Sequence, residues 1–175
     1  VVVIISLVVL TSGIVMLKGF IEGAEEHMNL LDQKLEAELE RMLIDEGKQV
    51  AIARKTADIE RGSTYVFGIG IMNTKSEIDT FHLQVEFKSA TDAQNKALTV
   101  DKDKVEGWSM YNFNPLKIEQ WDNDKIGVLV SVPEDALKGE YIFNARFYEG
   151  ENEEIQYGNT LQMIVNVKYK QIVCA

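Results

Sequence analysis

The sequence predicts an α+β fold in which a long N-terminal α-helix, first apolar and then amphipathic, precedes an antiparallel β-sandwich. Three features of the 175 residues carry this prediction. Residues 1–17 contain neither a charge nor a proline, residues 20–46 repeat apolar side chains every three or four positions, and beyond residue 47 the apolar period becomes two. A period near 3.6 indicates one face of a helix, and a period of two indicates a half-buried strand. We therefore expect an N-terminal helix over residues 1–47 and a β-sandwich domain over residues 48–175.

The first part of this helix, residues 1–21, is expected to lie in a membrane or in the core of a filament. The uncharged run, extended by Phe20 and Ile21 past a snorkelling Lys18, approaches the roughly 20 residues that span a bilayer. A soluble core helix with no polar face is rare, and a removable secretory signal would begin with Met and a basic region. The chain begins at Val1 instead, which predicts that a short charged leader was removed before it. The side chains assigned to this membrane or filament-core helix are Val1, Val2, Val3, Ile4, Ile5, Leu7, Val8, Val9, Leu10, Ile14, Val15, Met16 and Leu17.

Residues 22–47 are predicted to continue the helix with one apolar face and one acidic face. Nine acids stand against two bases between residues 20 and 46, and Gly47 is placed where a helix usually stops. The apolar stripe must pack either against the second half of the chain or against neighbouring helices. We assign it to subunit packing, and its members are Ile21, Ala24, Met28, Leu31, Leu35, Leu39 and Met42.

Gly19 and Gly23 have the spacing of a close helix–helix contact just beyond the apolar run. They also fit a bend where the helix leaves the membrane. Two tolerated glycines at a boundary would give the same pattern, so the sequence leaves these interpretations open.

The second half of the chain reads as a β domain because apolar and other side chains alternate along it. Such runs offer one apolar face each, and two sheets closing over these faces would bury a core. Together with weaker runs near residues 49–53, 57–60, 97–100 and 116–121, they predict about seven to nine strands in an antiparallel sandwich. The five strongest runs are Tyr65–Ile71, Phe81–Phe87, Ile126–Val132, Tyr141–Phe147 and Leu161–Val167.

The residues that usually carry catalysis are few. The chain has two histidines, His27 and His82, and we expect both on solvated faces. Its one cysteine, Cys174, is either incidental or serves in an intermolecular disulfide or in lipid attachment. Gly68 and Gly70 form a Gly-x-Gly, but no third glycine and no helix follow, so we expect a strand approached closely by other backbone. The sequence therefore predicts that the chain is not an enzyme and uses no cofactor.

Acidic side chains dominate the charge, with 28 Asp and Glu against 18 Lys and Arg and a net charge of −10. This balance makes nucleic acid an improbable partner, since binding a polyanion depends on basic residues. Acid clusters at residues 101–106 and 122–124 lack the glycine and terminal glutamate of a calcium loop, so we favour turn chemistry and expect no metal site.

The order of these elements resembles the archaeal type IV pilin and archaellin superfamily. The residues that carry the resemblance are Val1–Leu17, Phe20–Glu46 and the strand set from Gln49 onward. Bacterial members have a glutamate where this chain has Ile5, so the resemblance is to the archaeal branch.

The β half separately resembles immunoglobulin-like domains of cell-surface proteins. The segments that carry this second resemblance are Gly62–Thr74 and Val132–Phe147. In the latter, Pro133 and a turn at Gly139 precede Tyr141, which opens a strand.

The pilin resemblance implies a structural subunit of an extracellular, adhesive, pilus-like filament, embedded in the membrane before assembly. Its implied partners are further copies of the chain in a helical homopolymer, a leader peptidase, the membrane assembly machinery, and cell or abiotic surfaces. Two alternatives stay open from the sequence. One is a single-span membrane-anchored module that binds the cell envelope, similar to an archaellum stator accessory protein, and the other is an archaellin of a motility filament.

Overall fold

The computed structural model describes residues 31, 33–150 and 155–169. Within them the chain forms nine strands, two α-helices and one π-helical turn. The helical elements are α1 (Gln33–Glu40), the π turn (Arg41–Asp45) and α2 (Lys102–Glu106). The strands are β1 (Val50–Ile52), β2 (Thr56–Glu60), β3 (Thr64–Met72), β4 (Asp79–Thr91), β5 (Ser109–Met110), β6 (Leu116–Ile118), β7 (Asn123–Ser131), β8 (Gly139–Glu149) and β9 (Ile155–Lys168).

Two sheets face each other across one core. The first has the order β1-β3-β7-β5 and the second the order β2-β9-β8-β4-β6. The inward residues of the long strands are the alternate apolar residues of the sequence, such as Phe67, Val128 and Phe143, and they are almost fully buried. This first-sheet order, with β9, β8 and β4 adjacent in the second, is the arrangement of immunoglobulin-like sandwiches.

One strand pair differs from the antiparallel prediction. β2 runs parallel to β9, with Thr56 opposite Ile164 and Glu60 opposite Lys168. The chain leaves β1 in the first sheet and crosses to the second sheet within a few residues, so β2 meets β9 without a hairpin. A periodicity of two specifies which face of a strand is buried but not its direction.

The turn before β8 has the geometry of a tyrosine corner. The hydroxyl of Tyr141 donates a hydrogen bond to the carbonyl of Leu137 at 2.9 Å, and the Tyr141 ring lies 4.7 Å from the ring of Trp108. Burial raises the pKa of Tyr141, which keeps the hydroxyl a donor. A tyrosine at the start of this strand, bonded to backbone a few residues upstream, is typical of immunoglobulin-like domains.

Helix α1 and the π turn pack on the outer face of the first sheet, where two glycines leave room for them. A Cβ atom at Gly68 would lie 2.9 Å from Leu31 Cδ2, and one at Gly70 would lie 2.8 Å from Leu43 Cδ1. Leu39, between them, is fully buried. The Gly-x-Gly of β3 therefore accommodates this helix.

The α+β prediction with a long N-terminal helix is wrong, because the described residues form a β-rich fold. The first α-helix, α1, covers Gln33–Glu40, and in the π turn that follows it the amide of Glu46 donates to the carbonyl of Arg41 at 3.1 Å. The wider turn brings Leu43 onto the sheet at Gly70. Residues 1–30 and residue 32 lie outside the described residues, and the domain boundary after residue 47 stays a prediction.

The predicted localisation is corrected as well. No helix within the described residues has the length and apolar character needed to cross a membrane. The segment predicted to do so, residues 1–21, lies outside them. Nothing in the described residues supports the predicted membrane-embedded state or the extracellular filament.

Candidate recognition site

Three chain segments meet at one end of the sandwich. They are the β3–β4 loop (residues 73–78), the β6–β7 turn (residues 119–122), and the end of β8 at Glu149 together with the start of β9 at Ile155. We call this end the tip. Loops of this kind, held by a rigid scaffold, are where binding residues of sandwich proteins concentrate.

Asn73 joins the first two segments. Its side chain is fully buried, and its Nδ2 donates to the carbonyls of Glu77 at 2.8 Å and Ile118 at 2.9 Å. Its Oδ1 accepts a bond from the amide of Lys75 at 3.0 Å. Every group of this amide side chain is thereby paired, as a buried polar group requires. The β3–β4 loop and the end of β6 are therefore held in one fixed arrangement.

The β6–β7 turn presents Trp121 to solvent in an unusual backbone conformation. Trp121 has a φ of 61° and its relative exposure is 61%. The amide of Asp122 donates to the carbonyl of Glu119 at 3.1 Å, so Trp121 is the third residue of a hydrogen-bonded turn. A positive φ at this position is typical of a type II turn and is normally provided by glycine or asparagine. Tryptophan there costs about 1–2 kcal/mol relative to ordinary φ.

Two backbone hydrogen bonds hold Trp121 in place. Its amide donates to the carbonyl of Asn73 at 2.8 Å, and the amide of Asn73 donates to the carbonyl of Asp122 at 2.9 Å. These bonds continue the β3–β7 ladder beyond the Met72–Asn123 pair, with Asn73 opposite both Trp121 and Asp122. The strained turn is thus fixed by the strands and by the buried Asn73.

Further exposed apolar residues belong to the same end. Ile78, 48% exposed, directly precedes the Asp79–Ile118 pair of β4 and β6, and Ile155, 61% exposed, begins β9. Exposed carboxylates accompany them in the two loops. The acids of the loops and the start of β7 are Glu77, Glu119, Asp122 and Asp124. The tip therefore combines exposed apolar side chains with negative charge.

Lys75 ties the β3–β4 loop to the neighbouring strands. Its Nζ lies 2.6 Å from Asp79 Oδ2 and 2.9 Å from Glu149 Oε2. Hydrogen bonds to Asp79 and then to Glu149 hold the pKa of Lys75 above its ordinary value. Burial alone would raise the pKa of Asp79, but its hydrogen bonds with Lys75 and the Thr80 amide outweigh burial and lower that pKa. The lysine is therefore committed to these contacts.

The part of the predicted helix stripe that the structure describes packs on the outer face of the first sheet. Leu39 is buried against the chain's own first sheet, Leu35 lies near Gly68, and Leu31 and Met42 are partly buried in the same cluster. Their assigned role in subunit packing stays a prediction. Residues 1–17 with Gly19, Ile21, Gly23, Ala24 and Met28, as well as His27 and Cys174, lie outside the described residues.

The acidic side chains with shifted pKa values in the described part of the chain belong to ion pairs with lysines. A hydrogen bond from Lys48 lowers the pKa of Glu46, and one from Lys168 lowers that of Asp58. Asp101 caps α2 by accepting a bond from the Lys104 amide at 3.4 Å. Among the residues the structure describes, no group of three His, Cys, Asp or Glu side chains is arranged to hold a metal ion.

Sequence reasoning missed the site residues. It extended a weak strand run through residue 121, where the structure ends β6 at Ile118 and turns. The signal that was present is the tryptophan itself, which lies between Gln120 and Asp122 in a polar segment. An isolated aromatic residue between turn-forming polar residues has no core to enter and is a candidate contact residue.

Comparisons with known proteins give structural likenesses only. No family model matches the chain, and no curated protein matches it either. An ASH/PapD-like domain of human CEP192 is 13% identical with a TM-score of 0.48, and the match covers 71% of this chain and 88% of that one. The CupB2 chaperone of Pseudomonas aeruginosa is 7% identical with a TM-score of 0.43, covering 67% and 55%, respectively. The periplasmic chaperone SfaE is 7% identical with a TM-score of 0.39, covering 72% and 59%.

The chain thus spans little more than half the length of the two chaperones. The pilin and archaellin resemblance is wrong, since it required the long N-terminal helix that the described fold does not contain. The functions predicted from that resemblance are wrong as well, namely a filament subunit, a membrane-anchored module and a motility filament.

Proposed function

We propose that the chain is a protein-binding module, without catalytic activity, that contacts its partner through the tip. The observation that carries this proposal is Trp121, which is 61% exposed and held at a φ of 61°. A strained residue persists only where the surrounding structure enforces it, and such residues cluster at functional sites. Tryptophan is also among the side chains that contribute most to protein interfaces.

The surroundings of Trp121 favour a protein partner with a matching apolar recess. Ile78 and Ile155 add apolar surface at the same end, and acids in the loops form a polar rim. An apolar centre inside a polar rim is the usual composition of an interface. Because the turn is fixed by Asn73 and by the β3–β7 ladder, little ordering of this loop would be needed on binding.

The absence of catalysis is part of this proposal. The acids with lowered pKa values, Glu46, Asp58 and Asp79, owe them to hydrogen bonds from lysines, which is the pattern of structural ion pairs. The His82 side chain is half-buried on β4, opposite Tyr148 of β8.

The test compares Trp121→Gly with Phe113→Gly in the full chain. Phe113 is also an exposed aromatic residue, at 74%, but it lies in another loop, where its ring centroid is 4.4 Å from that of Tyr111, and it has no positive φ. Proteins from the source cells that bind the immobilised wild-type chain are measured against both variants, with reciprocal capture by each purified partner. A partner retained by Phe113→Gly and lost by Trp121→Gly supports the proposal, and equal retention by both variants refutes it.

Folding stability separates binding from damage in this comparison. Glycine relieves the strain at position 121 while adding backbone entropy to the unfolded chain, so the free energy of unfolding should stay unchanged or rise by up to about 1 kcal/mol. A loss of binding in a variant that is no less stable cannot be ascribed to unfolding.

A further inference from the structure

A second surface of the described chain has the opposite charge character from the tip. A cleft of about 550 Å³ lies between β1, the end of the π turn and the middle of β9. We call it the β1–β9 cleft. Its volume is in the range of ligand pockets, which is about 300–1,000 Å³. Its lining residues are Met42, Gly47, Lys48, Gln49, Val50, Ala51, Ile52, Lys55, Asn159, Thr160 and Leu161.

Two lysines and no acid line this cleft. They belong to residues 47–55, which contain three bases and no acid in a chain whose net charge is −10. Lys48 pairs with Glu46 at 2.7 Å, whereas Lys55 is exposed and has no ion-pair partner among the described residues. The mouth of the cleft therefore has positive charge to offer to a ligand.

The backbone beside the cleft belongs to an edge strand. β1 pairs with β3 on one side and ends the sheet on the other. The Gln49 carbonyl accepts from Met72 N at 2.8 Å and Ala53 N donates to the Gly68 carbonyl at 3.2 Å, so alternate residues of this segment bond to β3. By the alternation of antiparallel ladders, the amides and carbonyls of Val50 and Ile52 point to the cleft side.

We propose that the β1–β9 cleft binds an extended acidic peptide segment of another protein. The segment would add to the edge of β1, place its apolar side chains against Met42 and Leu161, and place a carboxylate next to Lys55. Addition of a strand to a sheet edge is an established mode of peptide recognition, in which backbone bonds give affinity and side-chain contacts give specificity. The charge of the cleft selects an acidic segment over a basic one.

The probes are three short capped peptides: alternating valine and glutamate, alternating valine and lysine, and the first with N-methylated valines, which cannot donate in a ladder. Binding to the full chain is measured by calorimetry and by amide chemical shifts. We expect the valine–glutamate peptide to bind and to shift the amides of residues 47–52 and 159–161, and both other peptides to bind at least about tenfold more weakly.

Variants localise the effect. Lys55→Glu should weaken binding of the valine–glutamate peptide about tenfold, because it reverses the charge at the cleft mouth. The backbone hydrogen bond from the Ile164 amide to the carbonyl of residue 55, at 2.7 Å, does not depend on this side chain. Lys96→Glu, which changes another exposed lysine outside the cleft, should alter the affinity less than about twofold. Equal effects of the two variants, tighter binding of the valine–lysine peptide, or shifts elsewhere would each overturn the proposal. It does not depend on the tip, so Trp121→Gly should leave peptide binding unchanged.

Discussion

Replacing Asn73 by alanine should destabilise the chain and release the tip. The substitution removes hydrogen bonds of 2.8 Å to the Glu77 carbonyl, 2.9 Å to the Ile118 carbonyl and 3.0 Å from the Lys75 amide. The bond to Ile118 is buried, and an unsatisfied buried partner costs about 1–3 kcal/mol. The other two are partly buried and contribute about 0.5–1 kcal/mol each, since water can replace them in part. We expect the free energy of unfolding to fall by about 2–5 kcal/mol.

The assay is urea unfolding of the full chain, with Asn112→Ala as the matched control. Asn112 is exposed and its Oδ1 accepts one bond from the Asn114 amide at 2.9 Å, so its loss should cost less than about 1 kcal/mol. The chain has two tryptophans, so its indole NH resonances give a second readout. The signal of Trp121 should broaden or shift in Asn73→Ala, while that of the buried Trp108 should stay. Equal destabilisation by both alanine variants, or an unchanged Trp121 signal, would show that Asn73 does not organise the tip.

Three other predictions concern the scaffold. Tyr141→Phe removes the donor of the tyrosine corner and should lower the free energy of unfolding by about 1–2 kcal/mol in chemical denaturation. Gly70→Val should lower the free energy of unfolding by about 1–3 kcal/mol, because a Cβ there would lie 2.8 Å from Leu43 Cδ1. The loss should be smaller when Leu43→Ala is also present. If the effects of the two substitutions are additive, packing of the helix on this glycine is not the cause. The pKa of Asp79 is lowered in the folded chain, so its ion pair with Lys75 contributes fully to stability at pH values above the ordinary pKa of 3.8. This contribution is lost as the pH falls through the folded pKa. The free energy of unfolding of Asp79→Asn should therefore fall less than that of wild type between about pH 5 and pH 2.

The sequence predicted the strands that build the core, and for a physical reason. Along β4 and β8 apolar and polar residues alternate, and this pattern suffices to identify a strand with one buried face. It also located Tyr141 at the start of its strand, where the structure places the tyrosine corner. Inner-face burial depends on local periodicity alone, so no knowledge of the partner strands was needed.

The helical part could not be predicted in the same way. An amphipathic stripe indicates that a helix has one apolar face but not what covers it, and residues 33–45 cover the glycines of β3. The change from α-helix to π turn after Glu40 has no composition signal, since it adjusts Leu43 to the sheet surface. Likewise, the parallel pairing of β2 follows from the chain crossing between sheets, which no strand pattern records.

The tip was missed because its chemistry depends on contacts distant in sequence. Asn73 and Ile118 lie 45 positions apart, and the bond between them orients the turn that displays Trp121. Read alone, Asn73 is a loop residue and Trp121 is the end of an apolar run. Only the pairing of β3 with β7 makes them one unit.

The net charge of the chain also does not predict the local charge of the β1–β9 cleft. A net charge of −10 argues against a polyanionic partner for the chain as a whole, because long-range repulsion acts on the total charge. Contact recognition acts over about a Debye length, near 10 Å, so the charge that a peptide meets is that of the cleft and its mouth. In residues 47–55 that local charge is positive, and the fold places these residues at a sheet edge beside β9. The acidic tip and the basic cleft therefore present opposite charges on one domain.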